Sequence, residues 1–102
     1  MPSRRLEQKL TKENLWLYIL SLLKEKDMYG YELREVIAKR FGFKPGNVTA
    51  YRVSYALQRQ GLIRKIEKSV DGRERKYYHI TAAGTKELNK GKALLRSILA
   101  ML

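Results

Sequence analysis

Residues 47–80 read NVTAYRVSYALQRQGLIRKIEKSVDGRERKYYHI, and this stretch decides the fold. Asn47 is a good helix N-cap and Gly61 a helix stop, so a helix is predicted between them. Its inward stripe is narrow: Ala50, Val53, Ser54 and Leu57 fall at helical spacing. Its outward face holds Thr49, Arg52, Tyr55, Gln58 and Arg59, which are polar or aromatic. Two strands are predicted next, from Leu62 to Val70 and from Arg73 to Ile80. Between them Asp71-Gly72 is a hairpin signal, because a type I′ turn needs positive φ at both central positions. Alternation places Tyr78 and Ile80 on one hairpin face and Tyr77 and His79 on the other.

Upstream, a helix is predicted from Thr11, acting as N-cap with Glu13 in the first turn, to Lys26. Leu15, Trp16, Ile19, Leu20, Leu22 and Leu23 help cover nearly its whole circumference with apolar side chains. A helix of that kind is buried on several sides, and in so short a chain the extra side calls for a partner. Leu6 and Leu10 extend the same seam as a short preceding turn. Asp27-Met28-Tyr29-Gly30 interrupts the pattern, and a second helix runs from Tyr31 to Arg40. Gly42 serves as its C-terminal cap, and Phe43-Lys44-Pro45-Gly46 is a turn. Downstream, Thr81 caps a last helix through Leu102, on which Leu88, Gly91, Leu95, Ile98 and Leu102 form a heptad-like seam. The fold class is mainly α with a small β-hairpin: a winged helix-turn-helix over residues 1–80 and a C-terminal dimerisation helix over 81–102, one compact domain overall.

Twenty-two Lys and Arg against ten Asp and Glu give the 102-residue chain a charge of +12. Nine basic and three acidic side chains lie within residues 44–76, so half the net charge occupies about a third of the chain. A domain this basic suits a polyanionic partner, and double-stranded DNA is the expected one. A Lys-rich surface kept for stability is the plainer alternative. With no cysteine, disulfides and thiolate metal sites are excluded. No stretch of 18 apolar residues and no secretory signal is read, which fits a cytoplasmic protein without a membrane partner. The single histidine rules out a histidine-based metal cluster, and no cofactor is expected.

The predicted chemistry follows from the third helix. A major groove about 12 Å wide admits one helix. Arg52 and Arg59 can bond guanine edges or phosphates, and Tyr51 and Tyr55 can bond phosphates or stack on sugars. Asn47 and Thr49 lie at the helix start, where recognition helices meet base edges. Lys68, Arg73, Arg75 and Lys76 surround the hairpin tip and suit a wing lying on the phosphate backbone. Tyr31 and Lys44 complete the candidate DNA contacts. The predicted dimer interface is Leu15, Trp16 and Ile19 of the first helix with Leu88, Leu95, Ile98 and Leu102 of the last.

Three segments together resemble the PadR family of winged-helix regulators over nearly the whole chain. They are Tyr29-Gly30-Tyr31-Glu32-Leu33, then Tyr51 to Leu57 leading into Gly61-Leu62-Ile63, then Arg75 to Gly84. The resemblance implies a homodimer built from the first and last helices, a palindromic operator and, in many relatives, repression. It also implies a possible small aromatic effector, on which Trp16 could stack; a core or interface role for Trp16 is the plainer reading. Ser54 departs from the pattern, standing where a larger apolar residue is usual, and Gly46 to Ala50 replaces a more usual Gly-Ser/Thr-Leu run. The terminal helix is short, as in members with a small C-terminal part. The leading reading is a sequence-specific regulator, probed against an architectural DNA-coating protein by the ratio of specific to non-specific affinity. An enzyme is not expected, because no Ser-His pairing, carboxylate dyad or phosphate loop emerges.

Overall fold

A computed structural model describes residues 1–102. Helices α1 (Pro2–Leu10), α2 (Leu15–Glu25), α3 (Gly30–Phe41) and α4 (Asn47–Arg59) precede strands β1 (Ile63–Val70) and β2 (Arg73–Ile80), and α5 (Ala82–Met101) follows. Helices α3 and α4 with the hairpin make the winged helix-turn-helix.

The helix predicted from Thr11 begins at Leu15, after a 3-10 turn, Lys12–Asn14, and the short preceding turn at Leu6 and Leu10 is a full helix, α1. Thr11 ends α1 instead of capping α2. Its hydroxyl donates back to the Glu7 carbonyl at 2.7 Å, and the Tyr18 hydroxyl donates to the Leu10 carbonyl at 2.6 Å. The Asn14 amide donates to the Lys9 carbonyl. Carbonyls left open at the end of α1 thus find side-chain donors, and the helix has no need to continue.

Helix α2 is the centre of the core. Leu15, Ile19, Leu20, Leu22 and Leu23 are all buried, and α3, α4, β2 and α5 pack around them. The apolar circumference that seemed to call for a second chain is therefore covered by the protomer itself. Leu15 and Ile19, predicted at a dimer interface, are 2% and 1% exposed, and Leu88 of α5 is 1% exposed. These three are core residues, a correction to the predicted interface. Each is surrounded by its own chain, so none has surface to offer a partner.

The hairpin follows its predicted turn. Val70 pairs with Arg73, and Asp71 and Gly72 have φ of 54° and 74°, as a type I′ turn requires. Ile63 and Tyr78 go into the core. The break before α3 contributes a third, one-residue strand, since Met28 exchanges both backbone hydrogen bonds with Tyr78. Thr81 caps α5 as predicted, accepting from the Gly84 amide at 3.1 Å. From Lys92 onward α5 is exposed on all sides.

Candidate nucleic-acid interface

Helix α4 buries Ser54 and Leu57 and turns a continuous stripe outward: Val48, Arg52, Tyr55 and Arg59, spaced four, three and four residues apart. Val48 and Tyr55 are 68% and 53% exposed. Tyr51 flanks the stripe at 63%, its ring parallel to that of Tyr55 with centroids 6.4 Å apart. Two flat rings and two guanidinium groups share one helix surface, and nothing in the fold covers it.

The start of α4 is one residue earlier than predicted. Gly46 is the N-cap, and Asn47 is the first helical residue, a correction of its capping role. Glycine supplies no side-chain acceptor, and no acidic residue lies in the first turn. The first amides of α4 thus keep their hydrogen-bonding capacity for an outside anion. The turn before them is fixed from α3, where the Arg34 Nε donates to the Pro45 carbonyl at 3.2 Å. Lys44 is held to Glu35 at 2.8 Å, while Tyr31 stands 62% exposed on the first turn of α3.

The hairpin is clamped to the α2–α3 turn. In its register Lys68 lies directly opposite Arg75, a like-charged pair that would repel across the strands. The two cations diverge: Lys68 Nζ reaches Asp27 at 2.9 Å, and the Arg75 guanidinium lies 4.7 Å from the centre of the Tyr29 ring. His79 Nδ1 is 2.7 Å from the other Asp27 oxygen, and Tyr29 meets Tyr77 edge-on at 5.5 Å. Lys68 and Arg75 are therefore engaged by the protein, whereas Arg73 and Lys76 are exposed and unpaired. Lys76 faces Glu67 on the opposite side of the hairpin. Val48 and Arg64 are exposed on these elements and escaped the sequence reading. Val48 was legible as the residue one turn before Arg52; Arg64 shares a hairpin face with Lys68 and Arg75 once the register is known.

Burial alone would raise the Asp27 pKa, but the hydrogen bonds and charges of Lys68 and His79 outweigh it and hold the carboxyl below its ordinary value. A carboxylate with a depressed folded pKa contributes stability that is present above its ordinary value, about 3.9, and lost as pH falls through the folded one. Urea unfolding of wild type and Asp27→Asn should therefore differ by a constant amount near neutrality. The difference should shrink in acid. A difference that persists unchanged below the carboxylate range would sink the clamp.

Of the predicted interface residues, Leu95, Ile98 and Leu102 are 39%, 44% and 97% exposed. Trp16 is half-buried against α5, near Gly91. No group of three or more His, Cys, Asp or Glu is arranged to hold a metal, and no helix is long and apolar enough to cross a membrane.

Residues 19–90 match the family described as "Transcriptional regulator PadR-like family". An uncharacterised protein of Lysinibacillus sphaericus is 39% identical over 75 residues, covering 71% of this chain and 69% of that protein. The replication termination protein of Bacillus subtilis (strain 168) is 31% identical over 61 residues, which is 57% of this chain and 50% of that one. Among solved structures, a PadR-like transcriptional regulator from Bacillus cereus aligns with a TM-score of 0.81 and 31% identity, over 92% of this chain and 91% of that chain. Bacillus subtilis PadR, solved in complex with operator DNA, shares the fold at a TM-score of 0.66 and 24% identity, over 74% of this chain and 46% of that one.

Proposed function

The chain belongs to the PadR-like family of transcriptional regulators, and on that premise we propose that it binds operator DNA as a homodimer and represses transcription. The observation that carries this reading is the α4 surface, with Val48, Arg52, Tyr55 and Arg59 exposed beside an N-terminus free of acidic residues. In this reading α4 lies in the major groove and the hairpin on the phosphate backbone. It acts in the cytoplasm, as a binding protein and not an enzyme. Two copies joined through α5 present two α4 helices about 34–36 Å apart, so the site is an inverted repeat.

The test is selection of bound duplexes from a random pool. Wild type should enrich an inverted repeat with half-sites about 10 base pairs apart, centre to centre. Arg52 is assigned to direct readout, because its fork matches the acceptor pair on guanine. Arg52→Ala should cost roughly 1–3 kcal/mol and relax one base position per half-site. An unchanged motif at uniformly lower affinity would reassign Arg52 to phosphate. No enriched motif for wild type would favour an architectural role.

The wing positions the protein and does not read sequence. Arg73→Ala and Lys76→Ala should each weaken binding to all sequences alike and lower the salt slope by about one unit. Arg75→Ala should add a loss of stability, since it removes the guanidinium stacked on Tyr29. A wing variant with an altered motif and an unchanged salt slope would contradict the assignment. A second reading, action in replication termination, draws on the likeness to the Bacillus subtilis protein of that name. It separates from the first in a helicase-displacement assay on the selected site.

A further inference from the structure

Helix α1 lies outside residues 19–90, which match the family, and none of its side chains is buried. Its end is nonetheless fixed to the turn before α4. The Tyr18 hydroxyl donates to the Leu10 carbonyl, and the Tyr18 ring meets Phe41 and Phe43 edge-on, with centroids 4.9 and 5.0 Å away. Lys12 and Lys44 are thereby brought to the borders of two adjoining recesses. The first, of about 490 Å³, runs from Arg4 and Gln8 on α1 to Phe43 and Lys44. The second, of about 180 Å³, runs from Lys12 and Lys44 to Thr49 on the first turn of α4. Together they form one trough from α1 to the recognition helix. Arg4, Lys12 and Lys44 line it against a single carboxylate, Glu7 on α1, and no carboxylate lines the half next to α4. Arg4 and Lys12 are exposed and in no ion pair. Lys44 is shared with Glu35, but an exposed pair of that kind is weak and gives way readily to a phosphate.

We propose that this trough is a second contact with the duplex, holding the sugar-phosphate backbone of one strand bordering the major groove that α4 occupies. The proposal rests on the DNA-binding reading above. Positions 4, 7, 8 and 11 share one side of α1, so Arg4 and Gln8 face the trough while Leu6 and Leu10 lie on another side of the helix. Lys, Arg, Gln and Thr are among the side chains that bond phosphate oxygens in protein–DNA complexes, and the trough offers all four. A protein partner would need an apolar centre, and only Phe41 and Phe43, both half-buried, lend apolar surface here. The trough ends at Thr49, three residues before Arg52 on the same helix, so a strand lying in it runs beside the bases that Arg52 meets. Contacts of this kind fix the register of the protein on the duplex and carry no sequence information. Helix α1 thus adds affinity and leaves the motif unchanged.

Arg4→Ala and Lys12→Ala should each weaken binding to the selected duplex about five-fold per half-site at about 0.15 M salt. Each should also lower the salt slope by about one unit per half-site, with the enriched motif unchanged. In hydroxyl-radical footprinting the double variant should lose protection over one short run of adjoining sugars in each half-site and keep the rest. Arg5→Ala is the control of equal charge, because Arg5 is exposed on α1 but lines neither recess. Its footprint should match wild type, and its loss of affinity should stay below about two-fold, as for a screened charge outside the contact. All three side chains are exposed, so the variants should keep the wild-type circular dichroism. Equal losses for Arg4→Ala and Arg5→Ala would mean diffuse attraction and overturn the trough, as would a double variant with wild-type affinity and footprint. An altered motif would make these residues readers and overturn their assignment to the backbone. If wild type binds DNA but enriches no motif, the salt slopes decide the matter on any duplex. If wild type binds no duplex, the DNA-binding reading falls and the trough with it, whereas failure of the trough alone leaves wild-type binding intact.

Discussion

Replacing Leu95 and Ile98 together by aspartate should give a folded monomer whose affinity for the two-half-site duplex falls by about 10²- to 10⁴-fold. Beyond Gly91 the α5 helix is exposed on every side, yet it carries Leu94, Leu95, Ile98, Leu99, Met101 and Leu102. These form a contiguous apolar surface on the last turns of α5. A soluble monomer rarely leaves such a surface open. Leu6 and Leu10 of α1, 58% and 41% exposed, offer it an apolar counterpart on a second copy. Neither Leu95 nor Ile98 belongs to the protomer core, so the aspartates should leave the circular dichroism of one copy intact. In an interface they would bury two uncompensated charges per chain, which association cannot repay. Each half-site would then bind alone, and the gain from linking two recognition helices would vanish. Light scattering reads the mass directly, and a double variant that stays dimeric removes α5 from the interface.

Much of this architecture is legible in the sequence where local chemistry leaves one solution. Asp71-Gly72 admits a tight turn with positive φ, and that turn sets the register from Val70–Arg73 back to Ile63–Ile80. Gly42 and Thr81 act as the predicted C-terminal and N-terminal caps. The outward set of α4 follows from its narrow inward stripe, and the exposure of Arg52, Tyr55 and Arg59 agrees with it.

What periodicity misses depends on long-range partners. The end of α1 is decided by Tyr18, eight residues on, reaching back to the Leu10 carbonyl. The apolar excess of α2 looks like an interface from the sequence alone, because nothing there shows that four other elements enclose it. The polar clamp on the wing joins Asp27 to His79, 52 residues away, so no spacing rule reveals it. Lys68 and Arg75 look equally free in the sequence, and only the fold brings Asp27 and Tyr29 to them.

Gly84→Ala should be the most destabilising single methyl that can be added to α5. A Cβ there would overlap the Leu62 carbonyl oxygen and stand 2.8 Å from the Ile80 Cγ1. The oxygen cannot easily retreat, because it accepts from the Thr81 amide at 3.1 Å. Nor can the helix start easily lift, because the Thr81 hydroxyl donates to the Gly61 carbonyl at 2.7 Å and accepts from the Gly84 amide. Helix propensity pulls the other way: alanine inside a helix is favoured over glycine by about 1 kcal/mol. Overpacking against fixed backbone costs about 1–3 kcal/mol or more, so the steric effect should win. The net loss should lower the melting temperature by roughly 4–8 °C per kcal/mol for a chain of this size. Gly91→Ala is the matched control. Its Cβ would also meet close neighbours, at 2.9 Å, but these are the tips of the Trp16 and Leu17 side chains, both only half-buried and able to shift. There the propensity gain and the steric cost should nearly cancel. Both variants are compared with wild type at one protein concentration, because association of copies, as proposed, would make the midpoint concentration-dependent. If Gly84→Ala melts at or above the wild-type temperature, the tight seating of α5 on the hairpin base is wrong.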